Sequence, residues 1–302
     1  MKRALGWVKK YLVEKYDEIV LEVKIKKNKI DGCDNVHHVR KSVEDKFLIS
    51  NPIFYISTGR TGTKFVAELM RLCPTVKAYH EPEPTLMAVS TELYESRLSP
   101  EMQKLIFKSV RYEKMLKNYL AGLRYVESNQ TLISLVDGIL LTFPKAKIVF
   151  LVRHPYSFAQ SAFKKGWFAN DTIWENNRIG CQYVNSLGQL QTIFQNWLTV
   201  SKVILEKNKE YKQCSIFKLE DLTTDVGKAE DLLKFIEVGN VSLKTLAKKL
   251  SIKVNENKAF KWEHDGIKKS ENDADLEDFK RKNEKFILKE IFPVATQLKY
   301  EL

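Results

Sequence analysis

Hydrophobic positions in the middle of the chain form short continuous runs, and each run is followed by a stretch with helical spacing. The two strongest runs are Pro52–Ile56 and Lys147–Val152, which have the length and apolar character of strands buried on both faces. Helical spacing follows over Phe65–Leu72 and again after Pro155, a residue that suits the first turn of a helix. The pattern predicts strands that alternate with helices.

Weaker signals extend this alternation along the chain. Further strands are predicted at Val76–Tyr79 and Ser215–Leu219. Further helices are predicted after Pro84 and over about 100–126, 172–207, 232–238 and 243–250, with a helical tail over about 253–302. Strands separated by helices favour an α/β fold in which a central parallel sheet is flanked by helices.

The first 48 residues carry two patterns that exclude each other. Residues 19–25 alternate like a strand, whereas a helix would gather on one face Val8, Leu12, Tyr16, Ile19 and Val23. A basic amphipathic helix can lie on an anionic membrane, and a solvated or packing element has the same pattern. We therefore predict a basic extension over 1–48 and one domain over 49–302, whose motifs lie within 51–225.

Composition is that of a globular protein with an excess of positive charge. The 302 residues are 44% hydrophobic and 29% charged, which excludes a disordered chain. Lys and Arg number 50 against 38 Asp and Glu, a net charge of +12. This charge favours an anionic partner, namely nucleic acid, a membrane surface or a phosphorylated or sulfated small molecule.

Cysteine spacing and the amino-terminal sequence bear on the compartment. The four cysteines show no metal-ligand spacing, so we expect reduced thiols and no metal site at Cys33, Cys73, Cys181 and Cys214. The first ten residues lack the apolar core of a secretory signal, and no apolar run reaches the length of a membrane span. A cytoplasmic protein is expected.

The loop Ser57–Lys64 has the character of a phosphate site. Gly59 and Gly62 allow a tight turn that points backbone N–H groups at one spot before a helix, and Arg60 and Lys64 add two cations. The hydroxyl residues of the loop include Thr61 and Thr63.

This loop departs from the phosphate loop of nucleoside triphosphatases, G-x-x-x-x-G-K-[ST]. Thr63 separates Gly62 from Lys64, and Phe65 stands where a magnesium-binding hydroxyl is required. The strand over 147–152 ends in Arg153 instead of the aspartate expected beside magnesium. Both observations disfavour a magnesium-dependent kinase.

Arg153 and Ser161 are candidates for a second anion site, although Arg153 taken alone could equally form a structural ion pair. Arg153 ends a buried strand, where open parallel sheets bind ligands, and a guanidinium can grip a dianionic phosphate with two hydrogen bonds. Ser161 lies two turns into the following helix and can add a hydroxyl. The two motifs together describe a ligand with two separated phosphates.

With these motifs the chain resembles the sulfotransferases that use 3′-phosphoadenosine 5′-phosphosulfate (PAPS). The family's 5′-phosphosulfate loop, [KR]-[ST]-G-[TS]-[TS], matches Arg60–Lys64 at every position except Lys64. Its 3′-phosphate motif matches Arg153 and Ser161, and Lys218–Leu222 resembles its Y-E-D-L element. The resemblance implies a P-loop-like fold and metal-free transfer of a sulfuryl group from PAPS, with 3′-phosphoadenosine 5′-phosphate (PAP) as product.

The resemblance also implies site residues. Gly59, Thr61, Gly62 and Thr63 would hold the 5′-phosphosulfate with Arg60 and Lys64, and both cations would stabilise the leaving group.

The segment Tyr79-His-Glu-Pro-Glu83 supplies candidates for the base that takes the acceptor's proton. Glycan-modifying members of the family have a similar Glu-Pro with the Glu as base, whereas members acting on phenols and steroids use a histidine. Glu81 is therefore the first candidate and His80 the second. The acceptor is expected to be the hydroxyl of a saccharide or glycolipid, and a small alcohol or phenol stays open.

Two other functions stay open. An ATP-dependent phosphotransferase would require magnesium and ignore a 3′-phosphate, and a basic nucleic-acid-binding module would not depend on Glu81. The motifs favour the sulfotransferase, without nucleic acid as a partner and with membrane contact through the amino terminus as an added expectation.

Overall fold

The computed structural model describes residues 2–28, 38–71, 73–169, 177–180, 188–239 and 272–302. Its strands are β1 (Ile53–Ser57), β2 (Val76–His80), β3 (Arg124–Ser128), β4 (Lys147–Val152) and β5 (Cys214–Lys218). Its helices are α1 (Lys2–Asn28), α2 (Lys41–Leu48), α3 (Thr63–Met70), α4 (Ser90–Glu95), α5 (Pro100–Leu120), α6 (Val136–Thr142), α7 (Pro155–Phe163), α8 (Gln189–Glu210), α9 (Leu219–Thr224), α10 (Val226–Phe235), α11 (Asn272–Lys282), α12 (Glu284–Phe286) and α13 (Phe292–Gln297). Short 3-10 turns cover Met87–Val89 and Gln130–Leu135, and a π turn covers Ile287–Ile291.

The five strands form one parallel sheet in the order β2-β3-β1-β4-β5. This confirms the predicted α/β fold and four predicted strands, those at 52–56, 76–79, 147–152 and 215–219, whereas β3 was not predicted. Because β1 lies at the centre, the chain crosses to one side for β2 and β3 and then to the other for β4 and β5. All strands present their carboxyl ends at one edge, which we call the carboxyl edge.

Alternation along β1 divides the core into two layers. Ile53 and Tyr55 are fully buried in the cluster that includes side chains of α3 and α10. Phe54 and Ile56 are fully buried on the opposite face, in the larger cluster with side chains of α5, α6, α7 and α8. Burial on both faces accounts for the continuous apolar runs in the sequence.

Two predicted helices are too long. The helix predicted over about 100–126 ends at Leu120, because Gly122 adopts a φ of +68° and its N–H donates to the carbonyl of Tyr119. Residues 124–128 then form β3.

The helix predicted over 172–207 begins at Gln189. Gly180 has a φ of +82°, which a helix does not accept, and residues 177–180 form turns. The predicted parts at 170–176 and 181–187 lie outside the described residues, as do the helix predicted at 243–250 and the residues of the tail before 272.

The amino-terminal segment takes the helical alternative. In α1, Leu21 is buried and the side chain of Asn28 donates to the carbonyl of Leu120 at 2.9 Å. In α2, Phe47 is buried against the rings of Tyr112 and Phe143. No helix in the part of the chain that the structure describes is long and apolar enough to cross a bilayer. The boundary predicted at residue 48 stays a prediction.

A buried ion pair joins α5 to β3. Arg111 Nε donates to both carboxylate oxygens of Glu127, at 3.0 and 2.8 Å, and neither side chain is exposed to solvent. The hydroxyl of Tyr125 and the amide of Asn129 also donate to Glu127, at 2.6 and 2.8 Å. Burial opposes the charge on Arg111, but attraction to Glu127 outweighs it and raises the pKa of Arg111.

We predict that Arg111→Met lowers the free energy of unfolding by about 3–5 kcal/mol, because it leaves Glu127 buried without its cation. Urea unfolding followed by circular dichroism measures this change. The control is Lys117→Met on the same helix, which removes a partly exposed ion pair with Glu113 and is expected to cost less than about 1 kcal/mol. Equal losses in the two variants would contradict a central role for the buried pair.

Candidate functional site

The predicted site residues gather at the carboxyl edge of the sheet. The loop 57–64 follows β1, Glu81 follows β2 and Arg153 follows β4. Connections from β1 and β4 leave in opposite directions, so a crevice opens between these two strands. Open α/β sheets bind ligands at such a switch point.

Three residues of the loop after β1 have a positive φ. Gly59, Arg60 and Gly62 have φ values of +79°, +53° and +77°. Gly62 is the N-cap of α3 and provides no side-chain cap, so the first N–H groups of the helix face the loop. Thr61 Oγ1 is buried and has no hydrogen-bond partner among the described residues. Such an arrangement fits a phosphate oxygen.

Neither of the two loop glycines has room for a side chain. A Cβ on Gly59 would lie 2.6 Å from Oε1 of Gln130 and 2.9 Å from the ring of Trp167. A Cβ on Gly62 would lie 2.4 Å from Leu219, the first residue after β5. Both glycines are therefore needed for packing as well as for the turn.

Arg60, Arg153 and Ser161 are in direct contact. Arg153 Nη1 donates to the carbonyl of Arg60 at 3.0 Å, and Arg60 Nε donates to Ser161 Oγ at 3.2 Å. Burial lowers the pKa of Arg60, and repulsion from Arg153 adds to the effect. Burial also lowers the pKa of Arg153, partly offset by Glu220. Two half-buried guanidinium groups that repel each other favour a bound anion between them.

The backbone around Arg153 is held by three other elements. Trp197 Nε1 of α8 donates to the carbonyl of Arg153 at 3.0 Å. Glu220, in the segment that resembles Y-E-D-L, accepts from the N–H of His154 and from the hydroxyl of Tyr300, both at 3.0 Å. Burial and the Glu220 carboxylate raise the pKa of Tyr300 above its ordinary range. Tyr300 and Glu220 thus support the residues that directly follow β4.

Glu81 lies directly beyond the end of β2, at the carboxyl edge, which is where a base would act near the loop. Its N–H donates to the carbonyl of Ser128 at 3.0 Å, so the residue continues the pairing of β2 with β3 at a φ of +46°. Nε2 of Gln130 donates to the carboxylate of Glu81 at 3.1 Å, and Oε1 of Gln130 accepts from Arg178 at 2.9 Å. Since Gln130 also lies against Gly59, one side chain connects Glu81 with the loop.

The remaining two candidate residues are His80 and Lys64. The alternation of β2 places His80 on the same side of the sheet as Val76 and Ala78, which pack against α3. Its Nδ1 is buried and has no partner among the described residues. Lys64 belongs to the first turn of α3 next to Thr63, but its side chain lies outside the described part of the structure.

Two residues of this site, Gln130 and Arg178, were missed by sequence reasoning. Gln130 follows β3, a strand that the sequence pattern did not reveal. Trp167 lies against the loop, and the guanidinium of Arg178 stacks on its ring with Cζ 3.4 Å from the centroid. Nothing in the local sequence marks Gln130 or Arg178, because their contacts join segments far apart in the chain.

Comparison with known proteins identifies the family of this chain. Residues 50–300 match the family model described as sulfotransferase domain. The fold is similar to a sulfotransferase from Alicyclobacillus acidocaldarius, with a TM-score of 0.50 and 13% identity over 84% of this chain and 97% of that one. No curated protein sequence matches the chain significantly.

Two further solved structures have lower TM-scores. The sulfotransferase domain from the curacin biosynthetic pathway has a TM-score of 0.46 and 16% identity over 83% of this chain and 98% of that one. A mouse sulfotransferase, SULT7A1, complexed with PAP has a TM-score of 0.40 and 15% identity over 70% of this chain and 67% of that one. The family match spans most of the chain and includes both motifs of the carboxyl edge, so this protein belongs to the PAPS-dependent sulfotransferase family.

Proposed function

We propose that this enzyme transfers the sulfuryl group of PAPS to a hydroxyl of a saccharide or glycolipid. The observation that carries the proposal is the convergence at the carboxyl edge of an open phosphate loop, a pair of arginines and a carboxylate. Each group has one task in such a reaction, and no metal is needed to supply the positive charge.

Donor binding is divided between two strand ends. The loop Gly59–Lys64, with the orphan hydroxyl of Thr61, takes the 5′-phosphosulfate. Arg153 and Ser161 take the 3′-phosphate, which distinguishes PAPS from ATP. The side chain of Arg60 contacts Ser161 in the described structure, so it lies between the two phosphate sites and can reach either. Arg60, together with Lys64 by its position in the sequence, then stabilises the charge of the leaving phosphate.

Glu81 acts on the acceptor. Its carboxylate accepts the proton of the hydroxyl while that oxygen bonds to sulfur, and the bond from sulfur to the bridging phosphate oxygen breaks. Gln130 holds one oxygen of Glu81 through its amide and leaves the other available for the proton. His80 is the second candidate for the base, because it precedes Glu81 in the chain and its Nδ1 has no partner among the described residues.

The acceptor class is inferred from Glu81-Pro82. Glycan-modifying sulfotransferases have a similar Glu-Pro with the Glu as base, and Pro82 is buried while Glu81 is only partly covered. The carbonyl of Pro82 accepts from Nη2 of Arg111 at 3.2 Å, and this hydrogen bond holds the segment in place. A saccharide offers several hydroxyl groups, and the enzyme must select one of them by its position. A carboxylate held in one place suits this task.

Donor identity is tested by thermal shift. We expect PAP to raise the melting temperature more than AMP does, and ATP with magnesium to give no larger shift than AMP, because the second phosphate of PAP binds a separate site. A shift produced by ATP with magnesium and not by PAP would overturn the proposal in favour of a phosphotransferase.

The 3′-phosphate contact is tested by Arg153→Met. Loss of a charge-assisted hydrogen bond, worth about 1.5–3 kcal/mol, should weaken PAP binding about 10- to 100-fold in calorimetry and change AMP binding much less. Arg281→Met on the exposed face of α11 is the matched control and should leave both affinities unchanged.

The base is tested by Glu81→Gln. Turnover should fall by about 10²- to 10⁴-fold, while the affinity for PAP stays the same, because the amide keeps the shape but cannot accept the proton. Glu83→Gln, at an exposed position two residues away, is the control and should keep its turnover. If Glu81→Gln retains activity and His80→Gln loses it, the base is His80.

The loop is tested by Gly59→Ala. The added Cβ meets Gln130 at 2.6 Å and strains a φ of +79°, so PAP affinity should fall by about tenfold or more. Gly122→Ala is the control: its φ is +68° and its Cβ meets the amide of Asn28 at 3.1 Å, at the other edge of the sheet. Equal PAP affinities in the two variants would contradict the role of the loop.

A further inference from the structure

Helix α1 has one face packed against the domain and an apolar face that nothing in the described structure covers. Asp17, Leu21 and Ile25 line the packed face, where Asp17 pairs with Lys77 at 2.6 Å and Leu21 is buried. On the opposite side, 67% of Tyr16, 59% of Ile19 and 47% of Val23 is exposed. We call the half of α1 centred on these three residues the outer face.

The sequence extends this apolar pattern towards the start of the helix. Leucine or valine recurs at positions 5, 8 and 12, at the three- and four-residue spacing that relates Tyr16, Ile19 and Val23. From position 5 to position 23 the helix rises by 18 steps, which is about 27 Å. An apolar pattern of this length marks a candidate binding face.

Charges on α1 are sorted between its two halves. Among the side chains that the structure describes, the outer half carries one acidic residue, Glu22, and three basic ones, Lys15, Lys26 and Lys27. The other acidic residues described on α1, Asp17 and Glu18, lie on the packed half or at its border. An apolar stripe flanked by lysines is typical of helices that lie in the plane of an anionic bilayer, because each lysine stem follows the apolar surface while its ammonium reaches the headgroups.

A second copy of the chain suits this face less well. Two outer faces packed together would oppose lysine with lysine, since Lys15 lies on the same flank as Lys26, whereas stable helix pairs place opposite charges at their flanks. Anionic lipid neutralises the same lysines.

The helix is held to the domain by polar contacts on its packed side. Asn28 donates to the carbonyl of Leu120 close to the start of β3, and Asp17 pairs with Lys77 on the edge strand β2. Because these contacts lie away from the outer face, docking on a bilayer would leave them intact.

We propose that the outer face of α1 docks the enzyme on an anionic membrane surface. This docking is independent of the chemistry proposed for Glu81 and Arg153. It is a peripheral contact, made by a helix lying on the bilayer.

Flotation with vesicles tests the proposal. The full chain should bind vesicles of phosphatidylcholine with 30% phosphatidylglycerol, and bind vesicles of phosphatidylcholine alone far less. Ile19→Gln with Val23→Gln should weaken binding about tenfold or more, because two exposed apolar side chains no longer enter the interface. Lys26→Gln with Lys27→Gln should weaken it about fivefold for each lysine removed.

Lys24→Gln is the matched control, because Lys24 is exposed but lies outside the outer half. It should reduce vesicle binding less than either lysine of the stripe does. Melting temperature and PAP affinity should stay the same in all three variants, since none of these residues touches the core or the site.

Three results would overturn the proposal. One is absence of binding to the anionic vesicles, and another is equal binding by the wild type and the Ile19/Val23 variant. The third is a dimer in light scattering that the Ile19/Val23 variant abolishes, which would assign the outer face to a second copy.

Discussion

The ion pair between Arg111 and Glu127 is the contact on which both the core and the site depend. Glu127 lies in β3, where its carboxylate is fully buried and receives hydrogen bonds from Arg111, Tyr125 and Asn129. The remaining nitrogens of Arg111 donate to the carbonyls of Pro82 and Pro84, at 3.2 and 2.9 Å. The same guanidinium therefore neutralises a core charge and fixes the segment that begins with Glu81. A buried pair is weak evidence for stability by itself, but this one also holds the segment that carries the candidate base.

The charge of the site follows from how its parts are held. Arg60 and Arg153 are brought together by the loop and by the end of β4. Burial lowers the pKa of both guanidinium groups, Arg153 adds to the effect on Arg60, and Glu220 partly offsets the effect on Arg153. A protein can tolerate this arrangement because the stability of its core is supplied elsewhere, by the two apolar layers around β1. In the proposed reaction, the phosphates of the donor would relieve the repulsion between the two groups, and part of it would appear as affinity.

The sequence predicted much of the fold because the central strands are apolar on both faces. Where a strand depends on a partner far away in the chain, the prediction failed: β3 contains Arg124 and Glu127, and its local pattern continued that of α5. The glycine at 122 was the one local signal for the break, and it stands between Ala121 and Leu123, which suit either state. The site divides in the same way. The loop and the pair of Arg153 with Ser161 are local motifs, so they could be read, whereas Gln130 acquires its position only through the strand that was missed.

The contact between Tyr300 and Glu220 has a consequence for biosynthesis. A chain emerging from the ribosome releases β1 to β5 well before residue 300, so the sheet can begin to form while Glu220 still lacks the hydroxyl of Tyr300 and His154 still lacks the carbonyl of Glu301. The segment that carries Arg153 is then held by Trp197 and by the hydrogen bond from the N–H of His154 to Glu220, without the contacts of residues 300 and 301. The sheet can therefore form before the bracing of the proposed donor site is complete.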